Sequence, residues 1–420
     1  MKRLILYILL ILLSLVMQAQ EHTVHDADIR SLQVVVNGKD GALPIIRLGT
    51  GDRIRVDFDD MTHEYRRYTY RIVHCNFEWQ PTEGLFESEY IDMTADEHVL
   101  ENYEPSLNTT VLYNHYSLEM SPRNTRLLLS GNYQLQIYRD SETGDEPTKV
   151  VTVCFGVKEQ KASVQATASG DTDIDYHQSH QQLQVAVSLQ ANIDNSRQDA
   201  VRICVVKNQD YNTAVINPKP TAVWGNTLQW THTQELIFPA GNEYRRFEML
   251  STHVAGMHID HLNWDDPYYY AGIMQDEVSE NYLYDEDHNG LSVFRSEDAQ
   301  NDNTESDYVY VTFNLNAPHP LPYRLYLSGK WTHHKLDDRY LMTYDEETGL
   351  YHCTLLLKTG YYDYTYVPRY PKGTPLSQRL NPIEGDYWPT ENEYDILVYY
   401  MPPGSRYDRL IGHQTVRFRK

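Results

Sequence analysis

Tyr308-Val309-Tyr310-Val311-Thr312-Phe313-Asn314-Leu315 is the stretch that decides the fold class. Val309, Val311, Phe313 and Leu315 alternate with Tyr310, Thr312 and Asn314. A period of two sends one set of side chains into a core and the other toward water, which is the signature of a half-buried strand. The same alternation recurs upstream. Ile54, Val56 and Phe58 alternate with Arg53, Arg55 and Asp57. Tyr133, Leu135 and Ile137 alternate with Gln134 and Gln136, and Leu183, Val185, Val187 and Leu189 with Gln184, Ala186 and Ser188. Long stretches of helical period are missing beyond the first residues, which disfavours βαβ architectures, and an all-β chain of tandem β-sandwich, Ig-like domains is expected. The 35 Tyr against 9 Phe fit this reading, because a tyrosine ring packs on a pleated surface while its hydroxyl reaches a polar partner.

The N-terminus sets the compartment. Lys2 and Arg3 precede the apolar run Leu4 to Val16, and Met17-Gln18-Ala19 ends it with a small residue. This is the pattern of a cleavable signal peptide over residues 1–19, and the run is short for a membrane span. The expectation is an exported, soluble mature chain starting near Gln20. Removing Lys2 and Arg3 from the 36 basic residues leaves 34 against 59 acidic ones, a formal charge of −25. That surplus disfavours nucleic acid and anionic membrane surfaces as partners. The four cysteines, Cys75, Cys154, Cys204 and Cys353, form no CxxC or Cys/His pattern, so no metal site is expected. Cys75 and Cys154 both lie in strand-like runs of the first block. A disulfide across the sandwich and free buried thiols are both open, with free thiols favoured.

Two polar stretches divide the remainder. Lys158 to Gln182 is rich in Gln, Ser, Thr and Asp, and Ser296 to Asp307 is acidic and Asn-rich. Read as linkers over 158–182 and 296–307, they separate domains over 20–157, 183–295 and 308–420. In the last block, Asp345-Glu346-Glu347-Thr348-Gly349 is a hairpin loop with glycine where positive φ is needed. That block is loosely similar to small Ig-like or starch-binding-type modules.

No nucleophile elbow, P-loop, HExxH or dinucleotide fingerprint occurs, so no catalytic residue, cofactor or enzymatic activity is expected. Asp285-Glu286-Asp287-His288-Asn289-Gly290 copies the opening of a calcium loop, but Ser296 stands where a bidentate Glu belongs, and an Asn-Gly hairpin turn accounts for it better. His258, Asp260 and His261 carry ligand-type side chains, for which a surface loop is the expectation. Trp224, Trp230, Trp264 and Tyr268-Tyr269-Tyr270 are candidates for a sugar-stacking platform, though packing uses the same residues more often.

One region is more specific than composition. Tyr70-Arg71-Ile72-Val73-His74-Cys75-Asn76-Phe77-Glu78-Trp79 is followed by Glu89-Tyr90-Ile91. Next come Tyr103-Glu104-Pro105-Ser106-Leu107-Asn108-Thr109, Tyr113-Asn114-His115-Tyr116 and Leu129-Ser130-Gly131-Asn132-Tyr133. This order resembles the N-terminal domain of the plug protein family of the type IX secretion system. Phe238-Pro239-Ala240-Gly241-Asn242-Glu243-Tyr244-Arg245 and Asp307-Tyr308-Val309 extend the resemblance. Asn76 and Ile91-Asp92-Met93 depart from the pattern at local turns. The resemblance implies a non-enzymatic periplasmic protein, peripheral to the outer membrane and without a span of its own. Its implied partner is the giant outer-membrane β-barrel translocon, whose periplasmic opening it closes when no cargo is engaged; an obligate homo-oligomer is not implied. The family-motif residues are expected to be structural: His74, Cys75, Trp79, Tyr90, Tyr103, Ser106, Asn108, Thr109, Tyr113, Tyr116, Ser130, Gly131, Asn132, Tyr133, Gly241, Asn242 and Arg245. The alternative is a carbohydrate-binding or adhesion protein of the envelope, distinguished by coplanar exposed aromatics. A glycosidase is a third reading, but no pair of carboxylates is singled out for it.

Overall fold

The computed structural model describes residues 21–93, 98–141, 143–195, 197, 199–317 and 319–419. The expected signal peptide, residues 1–19, lies outside them. Among the described residues the chain is all-β: strands grouped in sheets packed face to face, with only one-turn helices between them. No helix among the described residues is long and apolar enough to cross a membrane.

Three large hydrophobic cores organise the strands. The first lies between two sheets. One contains Ile29–Val36, Ile54–Asp60, Asn114–Met120 and Tyr103–Pro105, and the other contains Tyr68–Cys75, Gly131–Arg139 and Thr148–Lys158. The alternation read from sequence sets this packing: Ile54, Val56 and Phe58 from one sheet and Tyr133, Leu135 and Ile137 from the other are all fully buried. The second core uses Ala162–Ser169, His180–Leu189 and Thr227–Trp230 on one side. Opposite them are Val201–Lys207 and the C-terminal hairpin Asn392–Tyr400 with Arg409–Phe418. The third is bounded by Tyr308–Asn316, Leu350–Lys358 and Tyr268–Ile273 in one sheet and by Arg245–Met249, Leu325–Ser328 and Gly360–Pro368 in the other.

The expected boundaries are corrected in three places. First, 158–182 is not a linker, because Ala162–Ser169 is a strand paired residue for residue with Gln182–Leu189. Its inward residues are Ala162, Val164, Ala166 and Ala168, too small to register as an apolar pattern. Second, the third core is inserted into the second. Arg245–Met249 pairs with Gly360–Pro368, whereas Asn392–Tyr400 returns to pair with Val201–Lys207. The blocks 183–295 and 308–420 are therefore interleaved, since strand pairing ignores sequence order. Third, residues 296–307 carry the short helix Asp302–Glu305 and are wedged between the first and third cores.

The first and second cores also share one sheet. Lys158 pairs in parallel with Leu410, so the strands of both belong to a single nine-stranded sheet. The expected hairpin at 345–349 is present: Gly349 has φ +70° and its N–H donates to the Asp345 carbonyl at 2.9 Å. All four cysteines are free and buried. Cys75 and Cys154 lie on one sheet rather than across the sandwich, with the strand Gly131–Arg139 between them. Two strand spacings of about 4.8 Å each exceed the roughly 7 Å limit for bridging Cα atoms.

Candidate functional site

The motif residues do not converge on one pocket. They fall mainly at three joints where the cores meet.

The joint between the first and second cores is built on His74 and the turn Ser130-Gly131-Asn132. The His74 imidazole is buried. Its Nδ1 meets Thr82 Oγ1 at 2.8 Å and its Nε2 lies 3.3 Å from the Ser130 carbonyl oxygen. Edge-on rings of Tyr133 and Tyr407 enclose it at 4.9 and 5.4 Å, with Tyr90 at 5.9 Å. Burial pushes this imidazole's pKa down, which favours its neutral form. Across the joint, Asp408 accepts the Phe77 N–H at 2.9 Å and pairs with Arg202. The Arg202 guanidinium lies 4.3 Å above the Phe77 ring. Asn132 donates to the Asn76 carbonyl at 3.0 Å and accepts the Tyr399 hydroxyl at 2.9 Å. A small apolar seam of Phe77, Cys204, Val206, Leu397, Tyr399 and Leu410 completes the contact. Trp79 holds φ +62° in the tight turn, and its carbonyl accepts Gln134 Nε2 at 3.2 Å. Tyr90 donates to the Ile72 carbonyl at 3.1 Å, Tyr133 to that of Leu129 at 2.8 Å, and Ser130 Oγ to Glu159 at 2.8 Å. The Cys75 thiol lies 3.7 Å from the Val73 carbonyl and also meets the Gln134 backbone, and burial pushes its pKa up, so it is an inert packing residue.

The joint between the first and third cores is built on the run from Tyr103 to Tyr116. Ser106 and Tyr113 close it: the Ser106 N–H donates to the Tyr113 carbonyl at 2.8 Å, and the Tyr113 N–H to Ser106 Oγ at 3.0 Å. Asn108 turns the chain with φ +60°. Thr109 follows with a buried hydroxyl. The Asp307 carboxylate then accepts Thr110 N–H at 2.8 Å, Thr110 Oγ1 at 2.6 Å and Val111 N–H at 3.1 Å. The Tyr113 hydroxyl donates to the Ser306 carbonyl at 2.8 Å. Tyr116 stacks on Phe58 at 5.4 Å and on Tyr103 at 5.6 Å, and Tyr103 remains partly exposed.

At the centre of this joint sits a buried charge cluster that the sequence reading missed. Asp59 Oδ2 accepts Lys358 Nζ at 2.8 Å and Tyr308 Oη at 2.6 Å, and Asp59 Oδ1 lies 2.7 Å from His115 Nδ1. The Asp59 and Lys358 side chains are 1% and 2% exposed, so the ion pair is dry. Burial acts to raise the Asp59 pKa, but Lys358 and His115 together hold it below the usual carboxylate value. Lys358 Nζ also sits 4.4 Å over the Tyr113 ring and donates to the Asn303 carbonyl at 2.8 Å. The available signal was Asp57, Asp59 and Asp60 inside a strand, and a lysine ending the apolar run Leu355-Leu356-Leu357.

The third joint is the double crossing between the second and third cores. The Gly241 N–H donates to Asp386 at 2.8 Å and the Gly241 carbonyl accepts Thr390 Oγ1 at 2.9 Å. Asn242 donates to the Glu384 carbonyl at 3.0 Å. Arg245 is clamped between Glu384 at 3.0 Å and Asp276 at 2.8 Å.

The remaining candidates are dispersed. Trp230 is buried and donates to the Pro218 carbonyl at 2.8 Å, whereas Trp224 and Trp264 lie exposed on different cores. Tyr270 stacks on Tyr310 at 5.2 Å on the outer face of the third core's sheet. The segment read as a loop at His258 to His261 is a correction: Ile259–Asp265 is a strand, with an irregular register between Ile259 and His261. Among the described residues no group of three or more His, Cys, Asp or Glu converges to hold a metal ion. In the calcium-like stretch, Asp285 pairs with Arg246 at 2.6 Å. Asp287 accepts the N–H groups of Tyr244 and, at 2.8 Å, Asn289.

Asp287 carries a testable pH dependence. Burial, with the neighbouring Asp363 adding to it, pushes its carboxyl up to about 7 from 3.8. A carboxyl with a raised folded value binds its proton more tightly when folded. Its contribution to stability is full below the unfolded value and is lost as pH rises through about 7. Asp287→Asn mimics the neutral acid. The expected result is a variant that is less stable than the parent, or equal to it, at pH 4.5 and gains on it by pH 8, measured by urea unfolding. A stability gap that stays constant across that range refutes the assignment.

An all-β chain of interlocked sandwiches, with its motif residues spent on joints between cores, defines a multi-sandwich scaffold. It belongs to the type IX secretion plug family: the profile of the type 9 secretion system plug protein 1st domain matches residues 29–159. A crystal structure of a hypothetical protein from Parabacteroides merdae ATCC 43184 is similar at 37% identity, covering 95% of this chain and 100% of that one, with a TM-score of 0.89. A second solved chain, BspA_C_mut, aligns at 6% identity over 94% of this chain and 99% of its own with a TM-score of 0.16, too low to indicate a shared fold. No curated protein matches.

Proposed function

We propose that this chain is a non-enzymatic periplasmic plug. It docks on the outer-membrane translocon barrel of type IX secretion and seals the periplasmic opening when no cargo is engaged. Family membership supports a role in that system. The observation that carries the mechanical part is the buried joint Asp59–Lys358–Tyr308, together with the His74–Gly131–Asp408 joint. A body that closes a wide pore must keep its outline under load. Cores held by flexible linkers deform, whereas cores sharing a sheet and buried polar contacts move as one piece. Sealing also needs contact well above the standard interface of roughly 1,600 Å². A broad polar surface supplies that area while remaining releasable.

The test is a deletion strain. Its outer membrane is expected to become permeable to large hydrophilic solutes, and the wild-type chain is expected to co-purify with a very large β-barrel from detergent-solubilised membranes. Unchanged permeability together with no barrel in the eluate would overturn the proposal.

A further inference from the structure

Between the second and third cores lies a cavity of about 370 Å³, within the roughly 300–1,000 Å³ typical of small-molecule sites. Its wall carries Lys207, Arg369, Lys372 and Arg379, a concentration of cations in a chain with 36 basic and 59 acidic residues. Among the described residues none of these four has a carboxylate within ion-pair distance. Lys207 Nζ is satisfied only by the Pro239 carbonyl at 2.7 Å and, more weakly, the Ala240 carbonyl at 3.4 Å. Arg379 donates to the carbonyls of Thr374 and Asn212, both at 3.0 Å, and Arg369 to that of Leu336. A guanidinium has five N–H donors, so both arginines keep donors in reserve.

The carboxylates in the wall have hydrogen-bond partners of their own, and Asp386 and Asp210 also act electrostatically on Lys207. Glu384 is taken by Arg245. Asp386 accepts the N–H groups of Gly241 at 2.8 Å and Asn381 at 2.6 Å. Asp210 accepts Asn212 through both its backbone N–H at 2.9 Å and its side-chain amide at 2.8 Å. The rest of the wall includes Phe238, Tyr370 and Leu376, an apolar and aromatic surface.

The geometry points to a binding site for a small organic anion, a carboxylate or phosphate carried on an apolar or aromatic body. The head group meets the cations of the wall and the body lies against Tyr370 and Leu376. This site does not depend on the plug reading.

The experiment is calorimetric titration of the chain lacking residues 1–19 with sodium benzoate, phenyl phosphate and the neutral isostere benzamide. One or both anions are expected to bind saturably with one site per chain. Benzamide is expected to bind at least about tenfold more weakly, the worth of one charge-assisted hydrogen bond. The stronger anion identifies the head group. Lys207→Met/Arg379→Gln is expected to lose that binding while keeping the parent near-ultraviolet circular dichroism. Should the double variant not fold, Arg369→Gln, a change at an exposed side chain, gives the same readout with a partial loss. The assignment fails if neither anion saturates, if benzamide binds as well as the acids, or if the folded variants bind like the parent.

Discussion

Lys358→Met is expected to lower stability at pH 7 by about 3–5 kcal/mol, the cost of leaving one partner of a buried ion pair uncompensated. Asp59 is 0% exposed. Without Lys358 it keeps only the Tyr308 hydroxyl and His115 as partners. The folded value of Asp59 is depressed, so its contribution is present above the unfolded value and is lost as pH falls through the folded one. The penalty of Lys358→Met should therefore shrink at acid pH, where the orphaned carboxyl takes up a proton. The double variant Asp59→Asn/Lys358→Met should recover much of the loss, because it removes both charges together. Since Asp59 belongs to the first core and Lys358 to the third, the single variant should also expose residues 296–307 to limited proteolysis. A cost below about 1 kcal/mol, the level of a surface pair, would show that the pair is not dry and that the two cores are not coupled through it.

The strands were legible because alternation is local. Val309, Val311, Phe313 and Leu315 are all fully buried, as their period demands. What stayed illegible is what crosses between cores. Asp59 occupies a position whose side chain should face water, yet the third core covers it. The aspartates of strand Ile54–Asp60 are unusual there but do not say what covers them, because the cause lies about three hundred residues downstream at Lys358. The interleaving of the second and third cores escaped for the same reason, since a strand's partner is set by tertiary packing. Ala162–Ser169 was lost differently: alanine buries a face without raising hydropathy. The motif residues could be picked out as specific, but their placement at joints follows only from Asp307, Asp408 and Asp386, aspartates in a chain where acidic residues are everywhere. Aspartate accepts several backbone N–H bonds with one short side chain, which suits it to pinning one segment's backbone to another.

Gly131→Ala tests the other principal joint. Gly131 has φ +140°, a region L-residues avoid. A Cβ there would sit 2.7 Å from the Asp408 carbonyl oxygen and 2.7 Å from His74 Nε2. Neither neighbour can yield cheaply. The first is backbone, in a segment held by the Asp408 carboxylate's bonds to Phe77 and Arg202. The second is an imidazole fixed by Thr82 and enclosed by Tyr133 and Tyr407. Backbone strain of about 1–3 kcal/mol adds to the displacement of the 406–410 segment, so a total loss of about 2–4 kcal/mol is expected. Hydrogen exchange distinguishes this from a general loss of stability. The Phe77 amide, which donates to Asp408, should exchange faster by a larger factor than amides of the third core. Gly51→Ala, where a Cβ meets nothing within 4 Å and φ is not positive, should change neither quantity by more than about 0.5 kcal/mol. Adding His74→Ala should relieve only part of the Gly131→Ala penalty, since the Asp408 carbonyl remains in place. If Gly131→Ala matched Gly51→Ala in both unfolding and exchange, the first and second cores would not be locked at this turn, and their coupling would have to come from the shared sheet.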